Sequence, residues 1–191
     1  MKKLLILDNY DSYTYNLVQL VEQHGAWQFE VKKNDEIELE EVAQFDKVLL
    51  SPGPGLPSEA GIMIKLIEQY KHSKSILGVC LGHHAIAEVF GGRLYNLDQP
   101  IHGIQREIEI LKDDFLFKEI PQKTRVGLYH SWAVSLDNLP EELEALAISE
   151  KGVVMALRHI KYNIKGVQFH PESIMTPEGK RMIWNWLDVD F

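Results

Sequence analysis

The sequence predicts an α/β protein with an open, mostly parallel twisted sheet, helices on its faces and an antiparallel extension. Three observations carry this expectation. Short apolar runs alternate with helical patterns as far as Gly91 and Gly92. Beyond residue 92, strand-like runs follow one another without long helical patterns between them. One amphipathic stretch closes the chain. Alternating strands and helices imply right-handed crossovers, and a parallel sheet of that kind is covered on both faces.

The elements follow in order. Residues 3–7 form an apolar strand ending in the polar loop 8–12. A helix follows with Leu17, Leu20, Val21 and His24 on one stripe, stopped by Gly25. Residues 28–33 read as a second strand and 36–45 as a short acidic helix. Val48 to Leu50 is a third apolar run, and Glu59 to Tyr70 repeats Ile62, Leu66 and Ile67 at helical spacing. Residues 75–79 form a fourth strand, and Leu81 to Phe90 a helix closed by glycines. The runs near 106–111, 124–134, 144–149, 153–158 and 164–169 read as strands, some antiparallel. A last helix over about 177–188 turns Met182, Ile183, Trp186 and Leu187 inward.

Composition bounds the function. A chain of 191 residues buries roughly 70% of its unfolded surface, so the core needs no metal or disulfide staple. Without repeats or linkers, 1–191 reads as one domain. Twenty Lys and Arg against 28 Asp and Glu give a net charge of −8, with no basic cluster, which argues against nucleic acid as a partner. Cys80 is the only cysteine, so no intramolecular disulfide forms and a cytoplasmic setting is expected. The apolar run from Leu4 ends at Asp8, too short for a secretory signal, and no stretch is long enough to imply a membrane partner.

Ligands in open sheets of this kind bind beyond the carboxyl ends of the strands, where three loops carry unusual residues. Residues 78–82 read GVCLG at a strand-to-helix junction, a nucleophile-elbow pattern with sulfur in place of oxygen. The helix amides favour a thiolate there, while the plainer reading makes Cys80 a small buried hydrophobe. His170 follows the apolar run 166–169; if 168–172 stays extended, His170 and Glu172 project to one side as base and orienter. The alternative is a strand-end histidine beside a solvated carboxylate. The loop 51–57, SPGPGLP, is stiff enough to present amides to an oxyanion, or to serve as a rigid turn before a helix capped by Ser58. His83 and His84 follow Cys80 within one helical turn, but one cysteine and two histidines are too few ligands for a metal site. His24, His72 and His159 read as structural or surface residues.

These motifs together resemble the class I glutamine amidotransferases. DNYDSYTYN at 8–16 looks like the signature of the branch that serves chorismate-aminating synthases. SPGPGLPSEAG at 51–61, LGVCLGHHA at 77–85, YHS at 129–131 and GVQFHPES at 166–173 follow in the family's order, so the resemblance covers essentially the whole chain. It implies glutamine hydrolysis by a triad of Cys80, His170 and Glu172, through a γ-glutamyl thioester. The amides of Gly53 and Leu81 would form the oxyanion hole. Gly53, Pro54, Gly55, His84, Ser131 and Trp132 match the segments that hold glutamine, and His102 with Gly103 matches one that faces a partner. The resemblance implies no cofactor and no metal. It implies a separate chorismate-binding large subunit, of anthranilate or aminodeoxychorismate synthase, as recipient of the ammonia. Three positions depart from the family: His84 replaces Gln, Ile104 replaces Lys and Trp132 replaces Leu. The triad residues speak for an active subunit; His84 and Ile104 speak for a non-catalytic regulatory one.

Overall fold

The computed structural model describes residues 2–190. Strands β1 (Lys3–Asp8), β2 (Gln28–Lys33), β3 (Lys47–Leu50) and β4 (Ser75–Val79) alternate with helices α1 (Thr14–His24), α2 (Met63–Tyr70) and α3 (Leu81–Val89). The remaining strands are β5 (Leu94–Ile110), β6 (Lys123–Val134), β7 (Leu143–Ser149), β8 (Val154–His159) and β9 (Ile164–Val167), and α4 (Gly179–Asp188) follows. All nine strands join one sheet, in the order β2-β1-β3-β4-β9-β8-β7-β5-β6. Pairing is parallel from β2 to β9 and antiparallel from β9 through β8, β7 and β5 to β6. The expected parallel sheet with an antiparallel extension is therefore what forms.

Alternation along β1 builds two cores. Leu4 and Ile6 pack with Leu17 and Val21 of α1 and with Met182, Ile183 and Trp186 of α4. Leu5 and Leu7 point the other way, into Leu66 and Ile67 of α2 and Ala85 and Ile86 of α3. Successive strand residues face opposite sides, so a strand covered on both faces must be apolar throughout. Lys47 breaks that rule on β3, where its neighbours are wholly apolar. Its buried ammonium donates to the carbonyls of Trp186, Leu187 and Val189 at the end of α4, the last at 2.7 Å, and lies over the rings of Trp27 and Trp186. Burial lowers its pKa to about 8.

Several boundaries differ from expectation. The acidic helix at 36–45 is a 3-10 turn over Leu39–Gln44, started by the Glu41 carboxylate, which accepts the Glu38 N–H at 2.8 Å. The helix expected from Glu59 begins at Met63, after a separate 3-10 turn at Pro57–Glu59 in which Glu59, not Ser58, accepts the Leu56 N–H. Strand β5 starts a dozen residues before 106. Its first half is polar, pairs only with β6, and shifts register between Asn96 and Ile101 and between His102 and Ile104. No apolar alternation marks such an edge. Strand β9 stops at Val167, short of 169, which changes how His170 is placed.

Candidate active site

Cys80 sits between β4 and α3, with φ 50° and ψ −95°. A side chain rarely adopts that conformation, and the cost is of order 1–3 kcal/mol. The flanking glycines serve close approach, and the left-handed turn falls on the cysteine itself. A Cβ on Gly78 would lie 2.4 Å from the Gly82 carbonyl carbon, and one on Gly82 would lie 2.7 Å from Leu50 Cβ. The Cys80 N–H donates to Val167 O of β9 at 2.8 Å, fixing the elbow to the neighbouring strand. Its side chain is 6% exposed and lines a pocket of about 280 Å³.

His170 comes from the loop after β9. Residues 168–173 bend and turn where an extended segment was expected, and the Ser173 N–H bonds back to His170 O at 3.2 Å. The pairing still forms, by a different route. His170 Nδ1 and Glu172 Oε1 are 2.6 Å apart, with both side chains almost fully buried. The backbone of His170 is held by Gly127 O of β6 at 3.1 Å, and its carbonyl accepts the Thr176 hydroxyl at 2.7 Å. The Tyr129 ring meets the imidazole edge-on, centroids 4.8 Å apart.

Burial opposes charge on His170, but the adjacent Cys80 side chain and then Glu172 outweigh it and raise the pKa to about 10. Its Nε2 is buried and makes no hydrogen bond of ordinary geometry, and the neighbouring Cys80 side chain is the group that most favours the ring's charge. Catalytic pairs often tighten only when substrate binds. The other buried imidazoles go the opposite way. Burial holds His83 well below its ordinary pKa, lowers His84 to about 4 and lowers His130.

The pocket brings together most of the residues singled out in the sequence: Gly53, Pro54, Gly55, Cys80, Leu81, His84, His102, Ser131 and Trp132 all line it. Leu81 opens α3, and the first amides of a helix have no intrahelical acceptor. Gly53 packs so close to this corner that an added Cβ would lie 2.4 Å from Asn9 O and 3.0 Å from Leu81 Cδ2. The α3 N-terminus beside Cys80 favours negative charge, and Gly53 lines the same pocket. Gly103 lies outside the pocket wall, at the β5 irregularity beside His102, whose exposed ring meets Tyr129 edge-on. His170 and Glu172 line a second cavity of about 560 Å³ on the other side of Tyr129.

Four contributors had no assigned role in the sequence. Asn9 donates from its side chain to Ser51 O, and its N–H reaches Ser51 Oγ, both at 2.8 Å, fixing the loop that carries Gly53. Asp11 lies within the field of the His170–Glu172 pair; burial raises its pKa, which the Tyr13 N–H and His170 oppose. Tyr129 separates the two cavities. Gln168 donates to Cys80 Sγ at 3.6 Å, and its Oε1 lies 2.8 Å from His84 Nε2. Strand alternation applied two residues before His170 would have drawn attention to Gln168. No group of three or more His, Cys, Asp or Glu among the described residues is arranged to hold a metal, and no described helix is long and apolar enough to cross a membrane.

The family model for glutamine amidotransferase class-I matches residues 5–189. The chain belongs to that family. Among relatives of this amidotransferase, it is 41% identical over 188 residues to the aminodeoxychorismate/anthranilate synthase component 2 of Bacillus subtilis, covering 97% of this chain and 96% of that one. It is also 41% identical over 189 residues to the anthranilate synthase component 2 of Pyropia yezoensis, covering 97% and 98%. Its fold matches a solved glutamine amidotransferase from Thermotoga maritima with a TM-score of 0.81 at 16% identity, covering 98% of this chain and 96% of the other.

Proposed function

We propose that this amidotransferase hydrolyses L-glutamine to glutamate and ammonia and passes the ammonia to a chorismate-binding large subunit for anthranilate formation. The observation that supports it most directly is the strained Cys80 beside a buried His170 whose far nitrogen is held by Glu172. Cys80 attacks the carboxamide carbon as the thiolate, and the oxyanion that forms accepts from the Leu81 and Gly53 amides. His170, as imidazolium, gives its proton to the departing nitrogen, so ammonia leaves and a γ-glutamyl thioester remains. His170 then takes a proton from water, whose oxygen attacks the thioester carbon; glutamate leaves and the thiol is restored. Glu172 keeps the ring oriented and favours its charged state. Pro54, Gly55, His84, Ser131 and Trp132 form the walls for glutamine, and His102 with Gly103 the rim toward the synthase. No cofactor takes part in these steps, and a reducing cytoplasm keeps Cys80 available.

A role in aminodeoxychorismate synthesis is the second reading, favoured by the double name of the B. subtilis relative. The deciding experiment measures glutamate release with and without each chorismate-binding subunit. The expected result is slow turnover alone, stimulation by the partner, and loss in Cys80→Ala. Equal background rates for wild type and Cys80→Ala with either partner would establish a non-catalytic subunit instead.

A further inference from the structure

A second line of contacts reaches the Cys80 sulfur besides the triad pairing. Gln168 is wholly buried, and its own N–H is spent on Met155 O at 2.9 Å. Its side-chain Nε2 donates to Cys80 Sγ at 3.6 Å, while its Oε1 lies 2.8 Å from Nε2 of His84, a residue only 4% exposed. We propose that His84 is a positioning residue: as the Nε2–H tautomer it locks the Gln168 amide so that N–H, not oxygen, faces the sulfur. The inference rests on Cys80 acting as the thiolate nucleophile, and it adds a donor to that thiolate other than His170.

The physical reasoning turns on the near symmetry of an amide. Its two ends have almost the same shape and opposite hydrogen-bonding character, so partners alone decide which way it points. A thiolate is stabilised by an N–H and repelled by a carbonyl oxygen. A neutral imidazole has one proton to give. On Nε2 that proton binds Oε1 and turns the Gln168 N–H groups toward sulfur. On Nδ1 it would leave Nε2 an acceptor, which would draw the N–H groups away from sulfur and bring the oxygen round to it.

The surroundings of His84 favour the first state. Burial keeps the ring neutral, with the Gln168 bond opposing, His130 assisting and the Trp132 backbone opposing. The competing acceptor for the His84 proton is the Trp132 carbonyl, which also lies 2.7 Å from His130 Nδ1, whereas His84 Nε2 lies 2.8 Å from Gln168 Oε1. His83 and His130, the titratable neighbours of His84, are themselves held below their ordinary pKa by burial. Around the sulfur, the remaining partners are His170 with Glu172 behind it, and the Tyr129 carbonyl at 3.9 Å. On this view position 84 governs thiol reactivity through Gln168 more than it governs the grip on glutamine.

Because Cys80 is the only cysteine, alkylation by iodoacetamide reports on this sulfur alone. In Gln168→Leu the pH midpoint of alkylation is expected to rise by about one unit, a tenfold loss of thiolate, as for one charge-assisted hydrogen bond. His84→Phe moves the midpoint the same way and lowers kcat for glutamine more than it raises KM. His84→Gln, which keeps an N–H donor for the same oxygen, restores the wild-type midpoint. Nitrogen–proton correlation spectra of the unsubstituted protein read the tautomer without any variant, and Nε2–H is expected at His84. Protonation at Nδ1 overturns the lock, as do unmoved midpoints in folded variants of a protein whose wild-type thiol is reactive. A wild-type thiol inert from about pH 5 to 9 overturns the lock and the hydrolysis reading together.

Discussion

His170 Nδ1 and Glu172 Oε1 approach to 2.6 Å across a turn that begins where β9 stops, so the pair depends on the chain bending after Val167. The turn commits Nδ1 to the carboxylate and leaves Nε2 without a hydrogen bond of ordinary geometry. His170 is thereby biased toward the imidazolium form that can protonate a leaving amine.

Removing that bias has a signed consequence. Glu172→Gln deletes a charge that raises the His170 pKa, so the imidazolium is lost at lower pH than in the wild type, where it persists to about 10. The high-pH limb of kcat/KM for glutamine is expected to move downward, with kcat reduced by about 10² or more. A pH–rate profile of both proteins checks it; an unmoved limb would separate Glu172 from the base.

The strain at Cys80 predicts an inverted stability order. Alanine retains the Cβ that makes φ 50° costly, whereas glycine does not. Cys80→Gly is expected to be more stable than Cys80→Ala by about 1 kcal/mol, and both should lack glutaminase activity. Denaturant titration of the two variants decides it.

Buried neutral histidines make the fold acid-labile. Each of His83, His84 and His130 has a folded pKa below its unfolded value, so the unfolded chain binds more protons as pH falls below about 6.5. Their contribution is fully present above that pH and is lost toward about 4, where His84 itself titrates. Stability should fall by about 1.4 kcal/mol per pH unit for each such group. Urea midpoints between pH 7 and 4 measure the slope, and His84→Gln should reduce it.

Gly53 supplies a test of the loop that faces the thiol. An alanine Cβ would collide with Asn9 O, so the loop must shift outward and carry its amide with it. Gly53→Ala is expected to lower kcat by about 10² while leaving the rate of Cys80 alkylation unchanged. Steady-state kinetics and alkylation of the same sample separate the two effects.

The centre of the parallel half was legible because β1, β3 and β4 carry apolar runs that lead on to helical stripes, as with Leu4 to Leu7 before Leu17 and Val21. The elbow at Cys80 was legible for the same reason, since it interrupts that rhythm. The first half of β5 was hidden: Asn96 to Gln105 pairs on one side only, breaks register twice and so carries no alternation. His170 and Glu172 were matched correctly on a wrong conformation, because two residues can meet across a turn as readily as along a strand. Asn9 and Gln168 went unread because their work lies in what their amides hold in place, and an amide gives no sign of that in sequence. His84 was expected against glutamine; it lines that pocket, and its Nε2 also lies against Gln168.

The clamp of Lys47 on the closing carbonyls of α4 has a mechanical consequence. A pull applied near residue 190 meets β3, in the parallel half of the sheet, before it reaches the segment bearing Glu172. Tension at that end is thus shunted into the scaffold, and a Lys47→Met protein stretched from there should yield at lower force.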